Sequence, residues 1–301
     1  MNPVYFQALD APRRTVAKPV RLSGVGVHSG VASAVTLRPA PAGAGVIFWK
    51  GGDGPSAVKR PGDLVAANPS SVSNADHGTT LSNGRGFTVA TVEHLMAALA
   101  LTGVDDTHIE IDGPEVPILD GSAMPFVDAI VDAGVRELDR AREEIRFAEA
   151  MEIIDGDRSV RIEPADRFTL AVGIDFADCM IGRQRVEIDL GDETRLAALA
   201  SARTFCRLSE VDALQRAGFI RGGSFENAVV VDGERVLNGD GLRDPEEFAL
   251  HKALDLLGDL ALLGAPLGAK VTAIRPGHDI NCRAGLAVQR ALVREQAAES
   301  A

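Results

Sequence analysis

The chain holds six histidines, and three of them, His94, His251 and His278, keep company that could do chemistry. In Phe248-Ala-Leu-His251-Lys252-Ala-Leu-Asp255-Leu-Leu-Gly-Asp259, a helix turning about 100° per residue sets Asp255 about 40°, Asp259 about 80° and Lys252 about 100° round from His251. The polar side chains therefore share one arc of a helix otherwise made of Leu and Ala. The i, i+4 spacing of His251 and Asp255 suits two ligands of one metal. The same pattern also describes an amphipathic helix with a narrow wet face. In Thr91-Val-Glu93-His94-Leu95, adjacent Glu and His project about 100° apart at a helix start. One can bind a metal while the other reaches a water on it, or the pair is simply a polar first turn. In Arg275-Pro-Gly-His278-Asp279, read as a loop after an apolar strand over 270–274, the histidine is an acid–base candidate or an exposed loop residue.

Together these pieces fit one chemistry. His94, His251 and Asp255 offer two nitrogens and one oxygen, and three protein ligands plus water is the open coordination of a catalytic zinc site. Glu93 is then the base for the zinc-bound water, and His278 the acid or the cation facing the developing oxyanion. A metal charge and a helix N-terminus beside Glu93 predict a lowered pKa for it.

The elements that must position these groups are readable in outline. Residues 16–40 are strands around a tight turn over Ser23–Gly30, too short of glycine spacing and of a following helix to be a phosphate loop. Residues 50–62, rich in Gly, Pro and Asp, read as loop. A helix is predicted over 88–102 with Thr91 as N-cap and Gly103 as its stop. A strand follows over 108–112, a loop over 113–122 and a helix over 126–133. The charged stretch 139–144 is the best linker candidate, and strands are predicted over 145–147, 151–154, 159–162 and 169–174. Strands grouped ahead of helices favour an α+β class over a doubly wound sheet, divided into domains at 1–141 and 142–301.

Composition bounds the rest. The chain has 301 residues, 31 Lys and Arg against 43 Asp and Glu, and a formal net charge of −12. That is an ordinary globular composition; its acidity and its 4% aromatic content argue against a nucleic-acid partner. No apolar run approaches the roughly 18 residues of a membrane span. The first 14 residues lack the pattern of a signal peptide. Three scattered cysteines, Cys179, Cys206 and Cys282, exclude a disulfide framework. A cytoplasmic protein is expected. A monomer is compatible with the sequence, which does not determine the oligomeric state.

The chain also resembles a known family, the UDP-3-O-acyl-N-acetylglucosamine deacetylases, zinc amidases that commit bacteria to lipid A synthesis. The resemblance lies in Gly24-Val-Gly-Val-His-Ser-Gly30, Thr91-Val-Glu-His-Leu95, Pro117-Ile-Leu-Asp-Gly-Ser122, Ala202-Arg-Thr-Phe205, Gly222-Gly-Ser-Phe225, Val236-Leu-Asn-Gly-Asp-Gly-Leu242, the 251–259 segment and Gly277-His278. These occur in the family's order over nearly the whole chain. The resemblance implies two similar α+β domains with their helices sandwiched between two sheets, a small insert in each, and a site between them. It implies zinc on His94, His251 and Asp255, with Glu93 as base, His278 as acid or cation and Asp259 orienting it. Thr204 would offer its hydroxyl to the oxyanion, and Lys252 would face the pyrophosphate of an acylated UDP-sugar. Phe205, Leu208, Val211, Ile220, Phe225, Ala228 and Val230 would line a passage for the fatty acyl chain, the second insert falling near 180–200. Read without the family, the same apolar residues are ordinary core. Iron(II) suits the same donors as zinc, and availability decides between them. The chain departs from the family pattern at Cys206, where glycine is expected, and in the loop 76–79. A different zinc amidohydrolase, or a nucleotide-sugar binding protein without catalysis, are the competing classes.

Overall fold

The computed structural model describes residues 4–51 and 60–299. The first half runs β1 (Val4–Val16), β2 (Val20–Val25), β3 (Ala32–Pro39), β4 (Val46–Lys50), β5 (Leu64–Ala66), β6 (Val72–Asn74), β7 (Thr80–Ser82), β8 (Thr88–Val89), α1 (Glu93–Thr102), β9 (Thr107–Ile111) and α2 (Met124–Ala133). The second half runs β10 (Val135–Phe147), β11 (Met151–Asp155), β12 (Arg158–Pro164), β13 (Thr169–Phe176), β14 (Gly182–Asp189), α3 (Glu193–Ser201), β15 (Phe205–Arg207), α4 (Leu208–Arg216), β16 (Val229–Asp232), β17 (Arg235–Val236), α5 (Glu247–Ala261), β18 (Leu267–Ile274) and α6 (His278–Glu299). Of the loop predicted over 50–62, residues 52–59 lie outside the described residues.

The first half builds a five-stranded sheet in the order β2-β3-β9-β4-β5. The second half, joined by β1 from the first half as an edge strand paired with β10, builds the larger, seven-stranded sheet, in which β18 pairs antiparallel with β12 and parallel with β10 and β13. Helix α2 lies on β2, whereas α5 lies on β13 and β14 and α3 on β14, and α1 packs on α2, α3 and α5. The helices thus form a layer between the sheets, and the class is α+β as expected. Helix α1 is buried from Glu93 to Leu99, and α5 from Glu247 to Leu260 except at Lys252. A helix buried on every side must satisfy its polar residues internally, and this is what turns their polar arcs into a site.

Three local expectations are corrected. The stretch 139–144 is not a linker but the middle of β10, paired antiparallel with β1. Its charges alternate between solvent and partners: Asp139 and Arg140 are exposed, whereas Arg142 Nε donates to buried Asp105 at 2.8 Å and Glu144 is buried. Helix α1 starts at Glu93, not Thr88, and Thr91 does not cap it. Thr91 takes a left-handed φ of 56° and donates its hydroxyl to Glu115 instead. Residues 180–200 are not an insert beside the site: they are β14, paired along β13, and most of α3. The small extra unit is β15–β16–β17 with α4. The predicted stop holds, since Gly103 ends α1 at φ 68°.

Candidate active site

Helices α1 and α5 touch along the line where their polar residues lie. His94 of α1 and His251 and Asp255 of α5 are all buried, and one ligand atom from each lies within 4.8 Å of the others. Asp255 Oδ1 is 3.3 Å from His251 Nε2 and 3.6 Å from His94 Nε2, yet it has no hydrogen-bond partner. His251 Nδ1 faces the Ala202 carbonyl at 3.0 Å. Donation to that carbonyl fixes the tautomer and turns the Nε2 lone pair towards Asp255. Burial drives the His251 pKa down to about 3, so the ring is neutral. Burial alone would raise the pKa of Asp255, but His251, Lys252 and His278 outweigh it and hold the carboxyl well below its usual range. Two imidazole nitrogens and a charged, unpartnered carboxylate oxygen converging in a buried site fit a divalent cation. The wet-face reading of α5 is therefore overturned: its polar arc faces the interior, and only Lys252 among these residues reaches solvent in part.

His278 is the first residue of α6 rather than a loop residue. Its Nδ1 lies 3.0 Å from Asp259 Oδ2, and its Nε2 lies 3.9 Å from both Glu93 Oε1 and Asp255 Oδ2. Burial opposes the imidazolium, but Asp259, Asp255 and Glu93 outweigh it and raise the pKa to about 10. At Glu93, burial raises the pKa, and His278 and His94 offset this only in part. At 3% exposure the lost hydration decides the direction, a term no local sequence pattern carries.

These groups line a cavity of about 610 Å³. Thr204, Phe205, Leu208, Val211, Ile220, Phe225, Ala228 and Val230 all line it. Leu208 is 42% and Phe225 55% exposed, so these two are not core. Phe205 sits edge-on to Phe248 and His251 and carries Lys252 Nζ 5.4 Å over its ring. Lys252 also donates to Asp255 Oδ2 at 2.8 Å. Cys206 lines the cavity too, and burial raises its thiol pKa, which keeps it protonated and inert.

Several contributors escaped the sequence reading. His28 and His77 line the cavity, with His28 Nε2 2.8 Å from the His77 carbonyl. The turn bearing His28 locks against the 218–223 loop: Gly222 N–H donates to the Val27 carbonyl, and a β-carbon on Gly222 would overlap the Gly26 carbonyl. The glycines of the two motifs therefore allow two loops to meet backbone to backbone. Buried Glu115 accepts from the Thr91 hydroxyl and from the backbone N–H groups of His28 and Ser29. His28 stood inside a recognised motif; Glu115 had no signal beyond its proline-flanked loop.

The comparisons with known proteins agree with this geometry. Residues 13–289 match the family described as LpxC, UDP-3-O-acyl N-acetylglycosamine deacetylase. This chain belongs to that family. The UDP-3-O-acyl-N-acetylglucosamine deacetylase of Phenylobacterium zucineum is 44% identical over 269 residues, covering 89% of this chain and 90% of the relative. That of Myxococcus xanthus is 44% identical over 269 residues, covering 89% and 83%. That of Haemophilus influenzae is 38% identical over 284 residues, covering 93% and 91%. As a member of the deacetylase family the chain is an enzyme, and its buried His-His-Asp group is compatible with a metal. No helix among the described residues is long and apolar enough to cross a membrane.

Proposed function

We propose that this protein is the zinc-dependent hydrolase that removes the N-acetyl group from UDP-3-O-(hydroxyacyl)-N-acetylglucosamine, releasing acetate, in lipid A biosynthesis and in the cytoplasm. The observation that supports the reading is one cavity lined both by the buried His94, His251 and Asp255 group with Glu93 and His278, and by apolar side chains of β15, β16 and α4. The two halves, 1–141 and 142–301, act as domains that share the site, the first supplying Glu93 and His94 and the second the remaining groups.

His94, His251 and Asp255 would hold the metal, zinc or alternatively iron(II), and when bound it supplies Lewis acidity and a water of lowered pKa. The residues of the chain do the rest. Glu93 accepts the proton of the attacking water at Oε1, the oxygen that faces His278. The water oxygen bonds to the amide carbon, and the carbonyl oxygen takes the developing negative charge. His278, cationic through Asp259, Asp255 and Glu93, stabilises that charge together with the Thr204 hydroxyl. A proton from His278 or Glu93 reaches the nitrogen as the carbon–nitrogen bond breaks, leaving acetate and the free amine. Lys252, the partly exposed cation at the rim, faces the pyrophosphate. Phe205, Leu208, Val211, Ile220, Phe225, Ala228 and Val230 take the acyl chain.

The test is acetate release from the acylated UDP-sugar, lost on chelation and restored by zinc. Turnover of peptide amides instead, or binding of the sugar nucleotide without acetate release, would replace this reading with one of the two competing classes.

A further inference from the structure

We infer that Thr79 is a positioning residue that ties Glu93 to the Asp259–His278 pair and holds the two in one register. The inference deepens the deacetylase reading and rests on it. Thr79 has no exposed surface and spends every polar group it has on the site. Its N–H donates to Glu93 Oε2 at 2.9 Å. Its carbonyl accepts from the N–H of Val92, the residue before α1, at 3.2 Å. Its hydroxyl donates to Asp259 Oδ1 at 2.6 Å, across 180 residues of sequence. The other oxygen of Asp259, Oδ2, faces His278 Nδ1 and accepts from Asn281 Nδ2, both at 3.0 Å.

The consequence is geometric. Each carboxylate is held at one oxygen by Thr79 and presents the other to the reaction: Glu93 through Oε1, Asp259 through Oδ2. A carboxylate pinned at one oxygen cannot spin about its last bond, so base and imidazole stay mutually aimed. Without the hydroxyl, Asp259 Oδ1 loses that donor inside a site that is 1% exposed. The carboxylate then turns to find another donor, and His278 loses its aim. Thr79 is not among the residues that line the cavity; it acts through its two carboxylate partners.

Valine at this position keeps the volume, the N–H and the carbonyl and removes only the hydroxyl, whereas serine keeps the hydroxyl and removes only the methyl. Thr79→Val should lower kcat about 10- to 100-fold with KM within about twofold and metal content unchanged, and Thr79→Ser should stay within about threefold of wild-type kcat. In the proton NMR spectrum, the His278 Nδ1 proton should be protected from exchange in wild type and Thr79→Ser and lost in Thr79→Val. Where Thr79→Val does not accumulate as folded protein, Thr79→Ala applies the same thresholds; if neither folds while Thr79→Ser does, the role is structural and the inference is overturned. Equal losses in Thr79→Ser and Thr79→Val, or a Thr79→Val enzyme within about twofold of wild type, overturn it also. A wild-type chain that releases no acetate fails the functional reading and this inference with it, while an active wild type with an unaffected Thr79→Val fails this inference alone.

Discussion

Gly258 of α5 lies directly against the backbone carbonyl of Glu93 in α1: a β-carbon there would overlap that oxygen. The missing side chain lets two buried helices touch at backbone distance, which brings His94 of one within reach of His251 and Asp255 of the other.

Gly258→Ala should therefore separate the helices. Lower metal affinity, with a loss of stability of about 1–3 kcal/mol from overpacking, is the expected outcome. Metal titration and denaturant unfolding measure the two effects. Unchanged affinity would mean that α1 and α5 can part without moving the ligands.

His251→Ala and Asp255→Ala should each abolish stoichiometric metal, because each removes a ligand. Lys252→Ala should retain the metal and raise KM, since Lys252 reaches Asp255 only through Oδ2 and otherwise faces the cavity. Chelation of the wild type should end activity and leave the far-ultraviolet circular dichroism intact, as two packed halves do not need a three-ligand site to fold. Stoichiometric zinc in His251→Ala, read by atomic emission, would reject the ligand set.

The pH profile of kcat/KM should be bell-shaped, with Glu93 deprotonated and His278 protonated. Burial raises the Glu93 pKa and a bound metal would lower it, so the acidic limb is assigned by its depression in Glu93→Ala. The basic limb should extend towards the His278 value of about 10, and Asp259→Asn should move it to lower pH. The same raised pKa acts on stability. Its contribution is full below the unfolded imidazole value of about 6.5 and is lost as pH rises through about 10. Denaturant midpoints of the metal-free protein across that window should fall, and fall less in Asp259→Asn.

Arg203 and Glu247 form a buried pair, with Arg203 Nε donating to Glu247 Oε1 at 2.8 Å and the Arg203 N–H to the same oxygen at 3.1 Å. The pair ties residues 202–204 to the first turn of α5, and so places both the Ala202 carbonyl under His251 and Thr204 in the cavity. Glu247→Gln leaves the buried guanidinium with only the exposed carboxylate of Asp240 as charge partner and should cost up to about 3–5 kcal/mol. Thermal unfolding checks this; a shift of only a degree or two would show that the pair is dispensable.

Shortening the acyl chain of the substrate should lower kcat/KM stepwise, by up to about fourfold per methylene, from about 0.8 kcal/mol each. Filling the apolar wall with Ala228→Phe should penalise long chains and spare short ones. Equal turnover of acylated and unacylated UDP-N-acetylglucosamine would reject the passage.

What the sequence determined by itself was everything carried by local periodicity. His251 and Asp255 share a helix face because a helix repeats every 3.6 residues, and the Gly103 stop and the strands over 151–154 and 169–174 follow from equally local rules. Tertiary structure decided the remainder, because burial and pairing are set by chain segments far apart. The charges over 139–144 read as linker until β1 is seen beside them. Thr91 has the composition of an N-cap, but Glu115, 24 residues on, takes its hydroxyl. Burial pushes the Glu93 carboxyl up because neighbouring elements, α5 among them, remove its water, a contribution that the local sequence does not carry. The bond from Thr79 to Asp259 spans most of the chain, and no spacing rule reaches that far: the hydroxyl acquires its partner only when the loop before β7 is folded onto α5.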